Sequence, residues 1–335
     1  MSSSLKLAQG FLKDAQKASK GGWFSKPEWD LAAQYLDKAA TAFKAARHYE
    51  EAADCYAKAS DAYVQINAVY LAAKCFENAA VLADTHLKDH EKAVTYYSRA
   101  SDLYRSQGAA ADKAAEMMEC AAKICEDIDT NRAIQLYDNA LSIYENEDRG
   151  RFGVDTFKRT IRYLLDKGRL SEAVDIQMRL SAVCEHVNNR FELNKSNLSA
   201  IIILLAFGDS VEAGKKLDEF GQDVTFTRSK EAAAAEHLVQ AYSDGDQDEY
   251  IRIASDQPVA FLDTTIARLA AKTRIPGARR AEPRAANSAA AAAAGSGFNS
   301  GEKQGTYIGE HNAASSGTPF NGNVVAEDDG DDDLL

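Results

Sequence analysis

The sequence predicts an all-α protein built from antiparallel α-hairpins, chiefly because alanine recurs at a step of about 40 residues. Ala52, Ala93, Ala133, Ala173 and Ala213 follow one another at steps of 41, 40, 40 and 40 residues. Two helices fit into each step, which is typical of arrays of stacked helical hairpins. Only five prolines occur in 335 residues, which agrees with a mostly helical chain. Such an array presents a long surface, so the pattern favours binding over catalysis.

The residues around these alanines also repeat. Tyr56, Tyr97 and Tyr137 stand four positions after the first three alanines, where an aromatic ring can fill the gap beside a small residue. A second series lies midway between the first: Ala32, Ala72, Ala114, Val154 and Asn194. The two series together predict two packed helices in each repeat.

Five hairpins are predicted after an N-terminal helix that runs from Leu5 to about Ser19. They are Glu28–Ala45 with Tyr49–Ile66, Val69–Lys88 with Glu91–Ser106, Asp112–Asp127 with Asn131–Glu145, Gly153–Leu165 with Ser171–His186, and Arg190–Ala206 with Ser210–Phe220. Short polar connectors make the neighbouring helices antiparallel. Beyond them the 40-residue step is lost, although Lys230–Tyr242, Gln247–Ala254 and Val259–Lys272 still have helical composition.

Composition divides the chain into three predicted regions. Residues 1–225 form the helical-hairpin sheet, and residues 226–275 form a C-terminal helical bundle that caps it. Residues 276–335 have few large apolar side chains and include a run of six alanines, so we expect a disordered, low-complexity tail. That tail ends in six acidic residues within Glu327–Asp333 and then two leucines, Leu334 and Leu335.

Charge and hydropathy exclude several classes of protein. The formal net charge of −12 disfavours nucleic-acid binding. The longest apolar run, Ala200 to Phe207, is too short to span a bilayer, and no secretory signal follows Met1, so we expect a cytoplasmic protein. Two Asn-x-Ser sequons, at Asn194 and Asn197, lie inside a predicted helix, so we interpret them as chance. Five scattered cysteines without a CxxC pair predict buried free thiols.

The sequence contains no arrangement that is typical of an enzyme. It lacks a phosphate-binding loop, a GxGxxG, an HExxH and a GxSxG motif. His86 and His90 are the one histidine pair at helical spacing, but they straddle a predicted turn, which favours solvated side chains over a metal site. We therefore expect no catalysis, no small-molecule substrate, no cofactor and no metal.

Trp23 and Phe24 form the first of three features that point to a binding partner. They lie in a loop between two glycines and Pro27, with Lys20 and Lys26 on either side. One interpretation is a hydrophobic staple that folds back onto the first hairpin. The other is an exposed wedge that enters a membrane interface, where the lysines meet anionic headgroups.

A cluster of basic residues in an acidic chain is the second feature. Its members are Arg149, Arg151, Lys158, Arg159, Arg162, Lys167 and Arg169, and helical spacing places Lys158, Arg159 and Arg162 on one side of a helix. A solvated helix face explains the cluster, and so does a seat for an acidic helical partner. The third feature is the acidic, leucine-ended terminus, which is either a solubility tail or a segment that enters a partner's pocket.

These features resemble the soluble NSF attachment proteins, the SNAP family of membrane-fusion adaptors, and most closely its gamma class. The resemblance covers about residues 5–275. The residues that carry it are Lys26 to Ala33 (KPEWDLAA), Tyr35, Lys38 to Ala40, Ala42 to Lys44, Ala133 to Tyr137 (AIQLY) and Tyr144 to Arg149. It implies a right-handed superhelical sheet of antiparallel α-hairpins, similar to tetratricopeptide repeats, with a C-terminal helical bundle.

The resemblance also implies a function and its residues. Family members bind the four-helix SNARE bundle and recruit the hexameric ATPase NSF, which disassembles that bundle in vesicle-mediated transport such as that between the endoplasmic reticulum and the Golgi. Trp23 and Phe24 match the loop that contacts the membrane, which implies weak peripheral association. Lys195, Arg159, Lys158 and Arg162 fall near basic positions that contact SNAREs. Asp331, Asp332, Asp333 and Leu334 match the C-terminus that stimulates the ATPase.

A second function remains open. Helical-repeat scaffolds of another class capture short peptide segments of cytosolic partners. Those scaffolds usually have a 34-residue repeat, whereas the repeat here is 40 residues. The longer helices favour a sheet-like surface over a narrow groove.

Overall fold

Sixteen α-helices and no strands make up the part of the chain that the computed structural model describes, residues 3–20, 26–106, 110–146 and 149–278. The first eleven are α1 Ser3–Lys20, α2 Trp29–Ala45, α3 Tyr49–Gln65, α4 Val69–Leu82, α5 His90–Ser106, α6 Ala111–Cys125, α7 Thr130–Asn146, α8 Gly150–Asp166, α9 Leu170–His186, α10 Arg190–Phe207 and α11 Ser210–Phe220. The last five are α12 Val224–Thr227, α13 Lys230–Asp244, α14 Gln247–Ala254, α15 Gln257–Ala260 and α16 Thr264–Lys272.

Consecutive helices pack side by side from α1 to α11, which confirms the predicted all-α array of hairpins. The second helix of each hairpin begins at Tyr49, His90, Thr130, Leu170 and Ser210, the same steps of 41, 40, 40 and 40 residues that separate the alanines. The sequence repeat is therefore also the repeat of the structure.

Alanines lie where neighbouring helices approach each other. All five alanines of the first series have no exposed surface. Tyr56, Tyr97 and Tyr137 are buried beside them, and the Tyr137 hydroxyl donates a hydrogen bond to Glu126. Tyr104, also fully buried, donates to Glu77 at 2.8 Å. Small and aromatic side chains thus fill the interfaces together, and acids at the edge satisfy the tyrosine hydroxyls.

Five connectors of the hairpin array share one backbone conformation. A residue with positive φ follows the helix end at Arg47, Asn67, Asn188, Gly168 and Gly208. The next amide bonds back to a carbonyl five residues earlier, as in His48 to Phe43 at 2.9 Å and Arg169 to Leu164 at 2.8 Å. This left-handed cap satisfies the free carbonyls at the helix end and turns the chain within about three residues.

The single 41-residue step has a structural cause. Residues Ala83–Leu87 at the end of α4 form a π-helical turn, which Lys88 closes in the left-handed conformation with φ of 56°. A π turn accommodates one extra residue in a helix without shifting the flanking faces. The insertion is absorbed there, so Ala52 and Ala93 remain in equivalent positions.

Helix α10 is the centre of the C-terminal part. Its residues Ala200–Leu205 are all buried, because α9, α11, α13 and α16 pack around it. The apolar run is thus a buried core helix. No helix in the described part of the chain has the length and apolar character that crossing a membrane requires.

The C-terminal helices differ in one respect from the prediction. The segment predicted as one helix, Val259–Lys272, is two helices, α15 and α16, which Phe261–Asp263 separates. Asp263 accepts a hydrogen bond from the Thr265 amide at 2.9 Å and so caps α16. The division at residues 225 and 226 stays a prediction, and residues 279–335 lie outside the described residues.

Four of the five cysteines are buried, and Cys120 is half-buried; all five are free thiols, as predicted. Burial raises the pKa of Cys55 and of Cys184 to about 11, and that of Cys75 to about 12. A thiol with such a pKa stays protonated near neutral pH, so these side chains pack as small apolar groups.

The alanine repeat predicts a strong sensitivity to side-chain size. Replacing Ala133 by leucine should lower the free energy of unfolding by about 1–3 kcal/mol, because the larger side chain overpacks a fully buried contact. Replacing the exposed Gln135 on the same helix by leucine should change it by less than about 0.5 kcal/mol. Urea unfolding of both variants measures the difference, and equal effects would contradict close packing at Ala133.

Candidate functional site

Helices α8 and α10 carry the four basic residues that the sequence predicts as binding residues. Lys158, Arg159 and Arg162 lie on α8, and Lys195 lies on α10. Lys158 and Lys195 line one cleft of about 160 Å³, which the Phe261–Ile266 segment also borders. Trp23, Phe24, Asp331, Asp332, Asp333 and Leu334 lie outside the described residues. Of the three predicted sites, the basic one therefore lies among the described residues, where Lys158 and Lys195 line the same cleft.

This cleft forms where the packing pattern of the repeats changes. Gln177 occupies the position that tyrosine holds in the first three repeats, and it is buried. Its Nε2 donates to Ser196 Oγ at 2.6 Å, so a polar contact replaces the aromatic one. Since glutamine fills less volume than tyrosine, space remains beside it for the cleft.

Two of the four cations have partners on neighbouring helices of the array. Lys158 Nζ lies 2.6 Å from Glu192 Oε1 across the α8 and α10 interface. Arg159 pairs with Glu119 on α6, which also accepts from Lys123 at 2.9 Å and from the Thr156 hydroxyl at 2.9 Å. Glu119 is buried, and because it serves two cations, the surface around it retains a positive charge.

Arg162 joins α8 to the beginning of α16. Its Nη2 donates to Asp263 Oδ2 at 2.7 Å, and this hydrogen bond raises the pKa of Arg162. Burial alone would raise the pKa of Asp263, but hydrogen bonds from Arg162 and from the Thr265 amide outweigh burial and hold that pKa below its usual value. The pair therefore links α16 to α8.

Lys195 has no carboxylate within ion-pair distance in the described ranges. Its ammonium lies 4.3 Å from the centre of the Phe191 ring, whose side chain is 67% exposed. Phe152 on α8 is also exposed, and Arg151 lies 4.5 Å from its ring centre. A cation on an exposed ring costs little to rearrange, so these charges are available to a partner.

Helical spacing arranges the cations of α8 in a stripe. Arg151, Lys158 and Arg162 follow at steps of seven and four residues, which places them on one face, while Arg159 lies about a quarter turn away. Lys195 borders the cleft beside Lys158. The result is a cationic surface of α8 and α10 with two exposed phenylalanines, which we call the α8–α10 surface.

Sequence reasoning missed the acids that face these cations. Glu119, Glu192 and Asp263 lie far from them in sequence, up to 101 positions in the Arg162 pair. Only the Glu119 and Arg159 pair follows the repeat, since these residues are 40 positions apart. The separations of the other two pairs, 34 and 101 positions, match no repeat step. Asp263 alone gives a local signal, because an aspartate two residues before a helical amide is typical of a helix cap.

The described residues contain no group of three histidine, cysteine or acidic side chains placed to hold a metal ion. His86 instead stacks on Tyr49 with ring centres 3.9 Å apart, and His90 Nδ1 lies 3.3 Å from Asp84.

Comparison with known proteins identifies the family. The family described as soluble NSF attachment protein, SNAP, matches residues 6–256. This chain belongs to the SNAP family. The gamma-soluble NSF attachment protein of Dictyostelium discoideum is 35% identical over 261 residues, which cover 78% of this chain and 80% of that protein. The protein of the same name from Arabidopsis thaliana is 31% identical over 245 residues, 73% of this chain and 84% of its own.

Both relatives carry the gamma name, which confirms the class that the sequence resembles. A crystal structure of BtubC (BKLC) from P. vanneervenii covers 73% of this SNAP-family chain and 94% of its own at 14% identity, with a TM-score of 0.35, too low to support a common fold. The SNAP match ends at residue 256, between α14 and α15, so α15 and α16 lie beyond it. Phe261–Asp263 and Ile266 of α16, which line the cleft of the α8–α10 surface, are therefore outside the matched range.

The Arg162 pair predicts a pH-dependent contribution to stability. Asp263→Asn keeps the cap of α16 but removes the charge, so it should lower the free energy of unfolding at pH 7 by about 1 kcal/mol or less. A depressed aspartate pKa stabilises the fold above the unfolded value of 3.8, and the contribution is lost as the pH falls below it. Urea unfolding measures the free energy of unfolding of Asp263→Asn and of the wild type at both pH 7 and pH 3. The difference between them should be smaller at pH 3 than at pH 7.

The matched control is Asp256→Asn, the same change at an aspartate whose side chain is 57% exposed. It should alter the free energy of unfolding by less than about 0.5 kcal/mol. A loss for Asp263→Asn that stays the same at both pH values would contradict the ion pair.

Proposed function

We propose that this chain is an adaptor that holds the four-helix SNARE bundle on its α8–α10 surface and recruits the hexameric ATPase NSF to disassemble it. Membership of the soluble NSF attachment protein family is the observation that carries the proposal. The cationic surface supports it, because the chain is otherwise acidic, with a net charge of −12. An acidic helical bundle is the kind of partner that such a local surface attracts.

The cations of this surface can bind a partner while they keep their internal carboxylates. Lys158, Arg159 and Arg162 have side chains that are 36–48% exposed, whereas the carboxylates that they pair with are only 11–21% exposed. An acidic partner helix therefore approaches the exposed donors of these cations from outside, and the buried carboxylates stay paired. Lys195, which has no carboxylate partner in the described ranges, is the strongest contributor. Such contacts set the association rate and the orientation of the partner more than the affinity.

The adaptor itself is proposed to have no enzymatic activity. It positions the SNARE bundle, and ATP hydrolysis by the partner supplies the energy for disassembly. We assign stimulation of that ATPase to Asp331, Asp332, Asp333 and Leu334, where acids followed by a leucine suit a basic, apolar pocket.

Contact with a membrane surface is the second part of the proposal. Trp23 and Phe24 are assigned to it, since these rings partition into membrane interfaces. Lys20 and Lys26, the described residues on either side, are exposed and positively charged. Two rings and a few cations give weak, reversible binding, which makes the chain a peripheral membrane protein during its work.

Charge reversal tests the α8–α10 surface. Lys195→Glu and Arg159→Glu should each weaken capture of a purified SNARE complex by about 2- to 30-fold, a range that corresponds to about 0.4–2 kcal/mol. The loss should diminish as salt increases, because the contacts are exposed. The matched control, Lys215→Glu on α11, changes the same charge at an exposed site and should leave capture unchanged. Equal losses for Lys195→Glu and Lys215→Glu would contradict this surface.

Removing the aromatic rings tests the membrane contact. The double change Trp23→Ser with Phe24→Ser should lower disassembly of liposome-embedded complexes about tenfold if the two rings contribute about 1.4 kcal/mol. Detergent-solubilised complexes should be disassembled at the wild-type rate. Phe207→Ser, at an exposed ring elsewhere, is the control. Equal loss in liposomes and detergent would favour the hydrophobic staple instead.

A further inference from the structure

A second and larger cleft lies between α9, α10 and the end of α11. Its volume is about 530 Å³, and Met178, Leu193 and Phe220 supply apolar walls. Asn197 lies in its lining, and Glu185 borders it. Neither the cationic surface nor the predicted membrane loop includes any of these residues.

Asn197 is the unusual group in this cleft. It is 4% exposed, and its Oδ1 has no hydrogen-bond partner among the described residues. Its neighbours at the same interface are satisfied, since Ser181 Oγ lies 2.9 Å from Ser196 Oγ and Gln177 donates to the same Ser196. A buried acceptor without a donor costs about 1–3 kcal/mol. Asn197 lines the cleft, although Oδ1 itself has almost no accessible surface. A rotation of the side-chain amide about χ2 turns Oδ1 toward a donor that a ligand brings, and the new hydrogen bond recovers this cost.

The charges around the cleft select a positively charged donor. Asp223 pairs with Arg190 at 2.7 Å, and Glu219 pairs with Lys216 at 2.6 Å. Glu185 is exposed and has no cation within ion-pair distance in the described part of the chain. The cleft therefore combines an unpartnered carboxylate, an unpartnered buried acceptor and apolar walls. The aliphatic stem and charged head of a basic side chain complement all three.

We propose that this cleft binds a lysine or arginine side chain that a peptide segment of a protein partner presents. The cationic head donates to Asn197 Oδ1 and pairs with Glu185, while the stem packs against Leu193 and Met178. The site is separate from the α8–α10 surface, because Asn197 and Lys195 lie two positions apart on α10 and thus about 160° apart around the helix. The chain can therefore hold an acidic partner on one face and a basic segment on the other.

Methyl NMR of the full-length chain tests the proposal. The chain has four methionines, and the change Met178→Leu assigns the signal of the one in the cleft. The probes are seven-residue blocked peptides with flanking glycine, serine and alanine and with lysine, arginine, norleucine or glutamate at the centre. The lysine and arginine peptides should shift the Met178 signal saturably and leave Met117 and Met118 unchanged. Norleucine and glutamate peptides should cause no shift.

Variants locate the contacts. Glu185→Gln, at an exposed position that does not endanger folding, and Asn197→Leu should each weaken binding of the lysine peptide about tenfold or more. Asn197→Asp should strengthen it by adding a carboxylate beside the bound head. Lys195→Glu should leave the peptide shift unchanged even as it impairs SNARE capture, so the two surfaces are tested separately. The proposal is overturned if no peptide shifts Met178, if norleucine binds as well as lysine, or if Glu185→Gln binds as wild type does.

Discussion

Close approach of neighbouring helices at alanine is the constraint on which the rest of the structure depends. Because Ala52, Ala93, Ala133 and their equivalents leave no room for a larger side chain, each helix pair is fixed in one register. The tyrosines that fill the adjoining space bring hydroxyl groups into the interfaces. Acids such as Glu77 and Glu126 must accompany them, so part of the chain's negative charge has a structural purpose.

The candidate binding sites lie where this constraint relaxes. In the fourth hairpin, Gln177 replaces tyrosine and bonds to Ser196 on α10. Asn197, also on α10, stands where the earlier repeats have Tyr35, Cys75, Met117 and Phe157. The packing there includes polar contacts and leaves two clefts, on opposite faces of α10. The α8 cations and Glu185 lie beside these clefts. If alanine and tyrosine packed here as in the first three repeats, the tyrosine ring would fill the space beside Gln177 that the smaller side chain leaves to the cleft.

Much of the fold can be predicted from the sequence because its cause is local and repeated. The alanine step agrees with the start of each second helix. The left-handed turns at Gly168 and Gly208 also have a local cause, because glycine adopts a positive φ without steric cost. The π turn at Ala83–Leu87 was not predicted, although the extra residue that it accommodates is visible in the sequence as the single 41-residue step. A single inserted residue can be absorbed in a loop or in a helix, and only tertiary packing decides between them.

The candidate site was predicted only in part. Helical spacing grouped Lys158, Arg159 and Arg162, but their carboxylate partners come from α6, α10 and α16, which only the fold brings together. The unpartnered oxygen of Asn197 gave no sequence signal, because burial and the lack of a donor are properties of the packed interface. Charge patterns along one helix can be predicted from sequence, whereas a pair such as Arg162 with Asp263, which no repeat step relates, cannot.

Reconstituted disassembly of a defined SNARE complex, with NSF and ATP and with this chain as the only adaptor, is the decisive experiment for the adaptor role. Disassembly should require both ATP and this chain, and Lys195→Glu but not Lys215→Glu should reduce it. Capture of the complex without any ATP-dependent disassembly, or disassembly at an unchanged rate with Lys195→Glu, would contradict the adaptor role of the α8–α10 surface.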